Sequence, residues 1–212
     1  MNHKTPPSLL IALLTLLAFS VVASAQPAPA PVNRCDFRSD MRKLWEDHIT
    51  WTRLYIVSAT ADLPEKDATA KRLLQNQTDI GNAVKPFYGD AAGAKLTTLL
   101  NDHILIAVEI IDAAKKGEAA KKDNAAKRWS ANADDIATFL SGANPKNWPL
   151  AEMKRMMRDH LDLTTAELVA HLQKDWPADV AAYDKVHNQI LRMADMLSSG
   201  ISSQFPTKFG AK

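Results

Sequence analysis

The chain has 212 residues, of which 46% are hydrophobic and 24% are charged, and it contains a single cysteine. This composition is typical of a globular protein with one sizeable core, and it excludes fibrous and low-complexity chains. The formal net charge is only +2, which argues against a dedicated nucleic-acid binder and against a polybasic membrane-surface protein.

Residues 1–25 are predicted to be a secretory signal peptide. Lys4 precedes an apolar run over residues 9–22, and Ala-Ser-Ala at 23–25 forms a small-residue cleavage site. The run is short for a membrane span, which needs about 20 residues. We therefore expect a periplasmic or secreted protein with no stable membrane anchor after cleavage.

Residues 26–35 are rich in proline and alanine and are predicted to form an extended linker. Cys35 ends this segment. Because it is the only cysteine, an intramolecular disulfide is excluded and the fold depends on its core alone.

Residues 36–212 are predicted to form a single all-α domain. Apolar residues recur at intervals of three and four, and glycines and prolines fall where helices should end. Phe205 and Phe209 in the tail are expected to pack on the end of the bundle. The predicted helices span residues 37–61, 66–86, 93–116, 120–141, 149–174 and 178–200.

An internal repeat divides this domain into three parts. Asp-His dipeptides recur at spacings of 55 and 57, and asparagines on the alternate helices recur at spacings of 56 and 56. The pattern predicts a six-helix bundle built from three tandem antiparallel helical hairpins of about 56 residues, covering roughly 37–91, 93–145 and 149–201. The repeated residues are Asp47-His48, Asp102-His103, Asp159-His160, Asn76, Asn132 and Asn188.

The repeat predicts a buried polar layer. The sequence midpoint between each histidine and its asparagine falls on a predicted turn, so the two residues should lie level with each other across their hairpin. Both series also lie on apolar stripes. We therefore expect buried histidine–asparagine hydrogen bonds, because an unsatisfied buried group costs about 1–3 kcal/mol. The preceding aspartates point about 100° further round the helix and are predicted to orient neighbouring polar groups.

Three functions are compatible with this layer. The favoured hypothesis is an exported, non-enzymatic binding or accessory protein in which His48, His103 and His160 hold a divalent metal such as zinc, or a small ligand, or serve structure only. The second is a metal-dependent hydrolase or oxidase with Asp47, Asp102 or Asp159 as acid–base partners. The third is a structural module that binds a protein partner. Nucleophile, phosphate-loop and dinucleotide motifs are missing from the sequence, and no catalytic residue is assigned.

Copper is the alternative metal. Five methionines concentrate in the third hairpin near His160 and His187. Thioether and imidazole ligands suit Cu(I), although a methionine stripe on a helix more commonly fills a core. The methionines are Met153, Met156, Met157, Met193 and Met196.

Three segments of the chain carry a resemblance to a known family. The segments are LWEDHITWTR from Leu44, HLDLTTAE from His160 and QFPTKF from Gln204. With them the chain resembles an uncharacterised bacterial family of exported helical proteins, some of which are labelled glycosyltransferases. The resemblance covers nearly the whole mature chain. It implies the helical-hairpin fold and does not by itself imply one activity.

Overall fold

The computed structural model describes residue 1 and residues 31–210. The described chain is all-α, as predicted, and the ends of its helices lie within a few residues of the predicted ones. A short 3₁₀ turn at Pro206–Lys208 follows the last helix. The six helices are α1 (Arg34–Thr60), α2 (Lys66–Tyr88), α3 (Asp90–Lys115), α4 (Ala119–Ala143), α5 (Leu150–Leu172) and α6 (Trp176–Gln204).

The six helices form a closed ring. Each helix packs against the one that follows it, and α6 packs against α1, which closes the circle. Because successive helices are antiparallel, α1, α3 and α5 run in the same direction. α1 also contacts α3 and α5 across the ring, so these three helices face the interior.

The three hairpin turns share one backbone geometry, which confirms the repeat. Each turn contains a residue with positive φ, namely Asp62 (54°), Gly117 (68°) and Lys174 (60°). Each of these residues follows the repeated histidine of its hairpin by 14 positions. The next residue donates its N–H to the carbonyl five positions earlier, at 2.9–3.0 Å in all three turns, as in a helix C-terminal Schellman motif.

Two glycines set the distance between α2 and α3. A Cβ atom on Gly81 would lie 1.9 Å from Thr97 Oγ1 and 2.7 Å from the carbonyl oxygen of Gly93. A Cβ atom on Gly93 would lie 2.6 Å from the carbonyl oxygen of Gly81. Only residues without a side chain allow the two backbones to approach this closely.

The two ends of the described chain meet. Val32 N donates to the Lys208 carbonyl at 2.9 Å, and Gly210 N donates to the Val32 carbonyl at 3.2 Å. Phe209 is buried against Phe37 and Phe87, and Phe205 also contacts Phe87, in agreement with the expected packing of the tail. The last part of the predicted linker is therefore fixed to the bundle.

The boundary between the linker and the first helix differs from the prediction. α1 begins at Arg34, because the Asn33 side chain accepts hydrogen bonds from the backbone N–H groups of Cys35 and Asp36 and so caps the helix. Cys35 thus lies in the first helical turn, where it is exposed. The predicted signal peptide, beyond Met1, lies outside the described residues. Within the described part, no helix is both long enough and apolar enough to cross a membrane.

Candidate functional site in the histidine layer

The three repeated histidines meet inside the ring. His48 lies on α1, His103 on α3 and His160 on α5, and each is at most 4% exposed. The ring centroid of His160 lies 5.7 Å from that of His48 and 6.2 Å from that of His103. Because the three helices run in one direction and share the repeat register, the side chains arrive at one level.

A carboxamide side chain fixes His103 through two hydrogen bonds. Asn132 Nδ2 donates to the carbonyl of Leu99, four residues before the histidine, at 3.0 Å. This contact turns the amide oxygen toward the imidazole, so His103 Nδ1 donates to Asn132 Oδ1 at 2.8 Å. The predicted pair of His103 and Asn132 is therefore present.

The third hairpin has the same pair of amide hydrogen bonds, one to a helix carbonyl and one from the imidazole, but a different residue makes them. We call this arrangement the amide clamp. Gln189 Nε2 donates to the Met156 carbonyl at 3.0 Å, and His160 Nδ1 donates to Gln189 Oε1 at 3.2 Å. The predicted partner, Asn188, is instead exposed on α6 and donates to the Asp184 carbonyl of its own helix. A shift of one residue rotates a helical side chain by about 100°, which moves Asn188 out of the layer.

The first hairpin divides the clamp between two residues. Asn76 is buried as predicted, but its Nδ2 donates to the Leu44 carbonyl at 2.9 Å and does not pair with His48. Gln77 lies against the imidazole instead, with its Nε2 3.3 Å from His48 Nδ1. In all three hairpins the amide that contacts the histidine follows it by 29 positions.

Sequence reasoning missed Gln77 and Gln189, although a signal for them was present. A constant offset of 29 residues from each histidine leads to Gln77, Asn132 and Gln189. Asparagine and glutamine carry the same carboxamide. The repeat therefore preserves the position of this group and not the identity of the residue.

The aspartates that precede the histidines do not contribute to the layer. Asp47 is half-buried and pairs with Lys43 at 2.8 Å, and Asp102 and Asp159 are exposed. A side chain next to the histidine on a helix is rotated by about 100° and points to the outside of the ring, so these aspartates do not contact the imidazoles. They also do not supply acid–base partners there.

The carboxamides determine which nitrogen carries the proton in His103 and in His160. Both histidines donate from Nδ1 to an amide oxygen, so their Nε2 atoms keep a free lone pair. At His48 the two hydrogens of the Gln77 amide group are taken by the Leu73 carbonyl at 2.8 Å and by Asn76 Oδ1 at 3.2 Å. The contact of 3.3 Å between Gln77 Nε2 and His48 Nδ1 therefore does not fix the position of the His48 proton.

All three imidazoles are neutral. Burial lowers the pKa of His103 to about 3 and that of His160 to about 4, and it lowers the pKa of His48 well below its ordinary value of 6.5. Repulsion between neighbouring protonated imidazoles lowers these pKa values further. His160 and His103 act in this way on His48, and His160 acts on His103. His103 Nε2 is buried and has no hydrogen-bond partner among the described residues. The layer therefore offers unprotonated nitrogen atoms at neutral pH.

Small cavities lie on both sides of the histidine layer, and all three histidines line each of them. The first, toward the C-terminal halves of α1, α3 and α5, has a volume of about 30 Å³ and is lined mainly by apolar residues such as Ile56, Ile110 and Leu168. The second, on the opposite side, has a volume of about 10 Å³ and is lined by residues that include Met157 and Met193. Neither cavity has a carboxylate among its described lining residues.

The geometry of the layer also limits how it can bind a metal. Within residues 31–210, no three side chains of His, Cys, Asp or Glu are already arranged to hold a metal ion. Hydrogen bonds to amide oxygens fix free Nε2 lone pairs at His103 and His160, whereas none fixes the tautomer of His48. The site therefore has two nitrogen ligands whose lone pairs are set in advance.

A second buried polar cluster escaped the sequence analysis. Arg53 on α1 donates to Glu167 on α5 at 2.7 Å and to both carboxylate oxygens of Asp179 on α6 at 2.9 Å. His171 Nδ1 lies 3.1 Å from Asp179. Burial raises the pKa of Glu167, whereas the pKa of Asp179 is lowered because the bonds from Arg53 and His171 outweigh its burial. These residues lie on three helices and do not recur at a regular interval in the sequence, so no sequence pattern predicts that they meet.

Comparison with known protein-family models, with curated proteins and with solved structures gives no match for this chain. The resemblance to a bacterial family of exported helical proteins therefore stays a prediction. The candidate function rests on the geometry of the site.

Proposed function

We propose that this protein is a non-enzymatic binding protein that holds a metal ion at the histidine layer. One observation carries the proposal: three neutral, buried imidazoles from three repeats meet at one level, and one of them has an unpartnered Nε2. A buried acceptor without a partner costs about 1–3 kcal/mol. A bound ion would remove that cost.

The amide clamps support the same proposal. Histidines that bind a metal through one ring nitrogen commonly donate from the other nitrogen to a fixed oxygen, which orients the ring. His103 and His160 already have this arrangement through Asn132 and Gln189. Their free nitrogens thus face the layer before any ion arrives.

A binding role agrees better with the site than catalysis does, and the predicted signal peptide agrees with export. The hydrolase or oxidase hypothesis requires acid–base groups beside the metal, and the three aspartates offered for that role face outward. Besides the histidines, the described lining of both cavities consists of apolar residues, two tryptophans and three threonines. This lining favours a carrier or accessory role over catalysis, and the predicted signal peptide favours the periplasm or the outside of the cell.

Elemental analysis tests this proposal. The protein is purified from its native compartment without affinity metals, next to a His48→Ala/His103→Ala/His160→Ala variant and a His187→Ala control. His187 is half-buried on α6, contacts Glu46 and does not line either cavity. We expect stoichiometric metal in the native protein and in the control, and none in the triple variant. A native protein that contains no metal and takes up neither zinc nor copper would refute the proposal.

A structural role is the second candidate, because each amide clamp joins two helices whether or not an ion is present. In that case the native protein contains no metal, but the triple variant melts at a much lower temperature than the control. The same set of proteins thus separates the two functions.

A further inference from the structure

We infer that the ion is Cu(I), bound between the imidazoles of His103 and His160 and the thioethers of Met157 and Met193. This inference rests on the proposed function and specifies its ligand. It follows from three features of the site: its charge, the chemistry of its lining and the tautomers of His103 and His160.

The charge of the site favours a monovalent ion. The histidines and methionines are neutral, and neither cavity has a described carboxylate in its lining. The cost of burying an ion rises with the square of its charge unless opposite charges compensate it. A divalent ion would thus be buried uncompensated, whereas Cu(I) carries half that charge.

The lining of the smaller cavity supplies soft ligands. Met157 on α5 and Met193 on α6 line it together with the three histidines, and both methionines are almost completely buried. Thioether sulfur selects Cu(I) over zinc and other harder cations. The cavity volume of about 10 Å³ leaves room for a single ion and excludes larger ligands.

The hydrogen bonds of the layer fix two nitrogen ligands. His103 and His160 donate from Nδ1 to an amide oxygen and so offer free Nε2 lone pairs. Structural zinc sites are almost always four-coordinate, with nitrogen, thiolate or carboxylate ligands. Two imidazoles do not complete such a site, but together with thioethers they suit Cu(I).

The test is a pair of metal titrations on the full mature chain. Cu(I) is titrated without oxygen in competition with a chromogenic Cu(I) chelator, and Zn²⁺ is titrated against a zinc indicator. The variant is Met157→Leu/Met193→Leu. Its matched control is Met153→Leu/Met196→Leu, which changes the same residue type on the same two helices outside both cavities. Leucine is close to methionine in volume, so both variants should fold.

We expect one Cu(I) per chain, with affinity lowered about tenfold or more in the cavity variant and unchanged in the control. X-ray absorption of the loaded protein should show both nitrogen and sulfur neighbours. Stoichiometric Zn²⁺ without Cu(I) uptake, or Cu(I) binding that the cavity variant leaves intact, would overturn this inference and leave the proposed function standing. A native chain that binds neither metal would overturn both.

Discussion

Each of the three carboxamides that hold the layer donates to the backbone carbonyl four residues before a histidine. In the second and third hairpins the same side chain also accepts from the imidazole. Removing such an amide in these two hairpins leaves an imidazole N–H without a partner inside the protein and takes the second hydrogen bond from a helix carbonyl. The loss in the free energy of unfolding can therefore be measured by changing one residue at a time.

We expect Asn132→Ala and Gln189→Ala each to lower the free energy of unfolding by about 1–3 kcal/mol. The matched control is Asn188→Ala, because Asn188 is exposed and bonds only within its own helix. It should change stability by less than about 0.5 kcal/mol. Urea denaturation measures the free energy of unfolding of all three variants, provided that their m-values agree. An equal loss of stability at positions 188 and 189 would contradict the amide clamp.

Acid should destabilise the metal-free protein through the same layer. The unfolded histidines take up protons near pH 6.5, whereas folded His160 and His103 resist protonation down to about 4 and about 3. The unfolded state therefore binds more protons in this range, and stability falls as the pH drops. The slope should reach about 1.4 kcal/mol per pH unit for each buried histidine.

Denaturation curves recorded between pH 7 and pH 4 measure this slope. A His160→Gln variant, which loses one of the titrating groups, should show a shallower dependence on pH than the native protein. An Asn188→Gln variant, altered at an exposed position without a titrating group, should follow the native curve. Identical slopes in all three proteins would show that the layer does not titrate as described.

The burial of the histidines and their common level could be predicted from the sequence, because each depends on a single pattern. The apolar stripes placed all three histidines inside, and the repeat placed them level. The partners at positions 77 and 189 were missed because identical asparagines were matched in place of equivalent carboxamides. The position of the aspartates on the outer side was also predictable, because adjacency along a helix implies a rotation of about 100° away from the histidine.

At the scale of the elements, the close approach of α2 and α3 depends on Gly81. We expect Gly81→Ala to destabilise the protein by about 1–3 kcal/mol, because the new Cβ would overlap the Thr97 side chain and the Gly93 backbone. The matched control is Gly142→Ala in α4, where a Cβ would have nothing within 4 Å. That change should stabilise the helix by up to about 1 kcal/mol.

Thermal unfolding of the two alanine variants provides the measurement. Opposite signs at the two positions would confirm that the glycines differ in role. A neutral or stabilising effect at position 81 would show that the two helices can move apart without loss. The helices themselves were predictable from periodicity, but this contact was not, because a single sequence does not reveal which helices approach closely.

At the scale of the whole molecule, Arg53 ties the last helix to the first. It binds two carboxylates that are each at most 3% exposed, Glu167 on α5 and Asp179 on α6. Arg53→Ala should therefore cost about 3–5 kcal/mol, because it leaves buried charges uncompensated. Arg38 also joins α1 to α6, through Asp195, but the Arg38 side chain is 56% exposed. Arg38→Ala should cost at most about 1 kcal/mol.

Chemical denaturation of both arginine variants tests this difference. Equal costs at the two positions would show that burial does not distinguish the two ion pairs. The Arg53 cluster could not be derived from the sequence. Its members lie on three helices with no common spacing, and which buried charges meet depends on how the ring closes.

The hydrogen bonds between Val32 and residues 208 and 210 bring the two ends of the described chain together, so the six helices can be connected in a rotated order. A gene that joins residue 210 to residue 31 through a short flexible segment, and opens the chain at the Gly117 turn, would encode a protein that begins with α4 and ends with α3. Such a circular permutant should assemble the same toroid, since every interhelical contact survives the rearrangement. Its circular dichroism and metal uptake should match those of the parent.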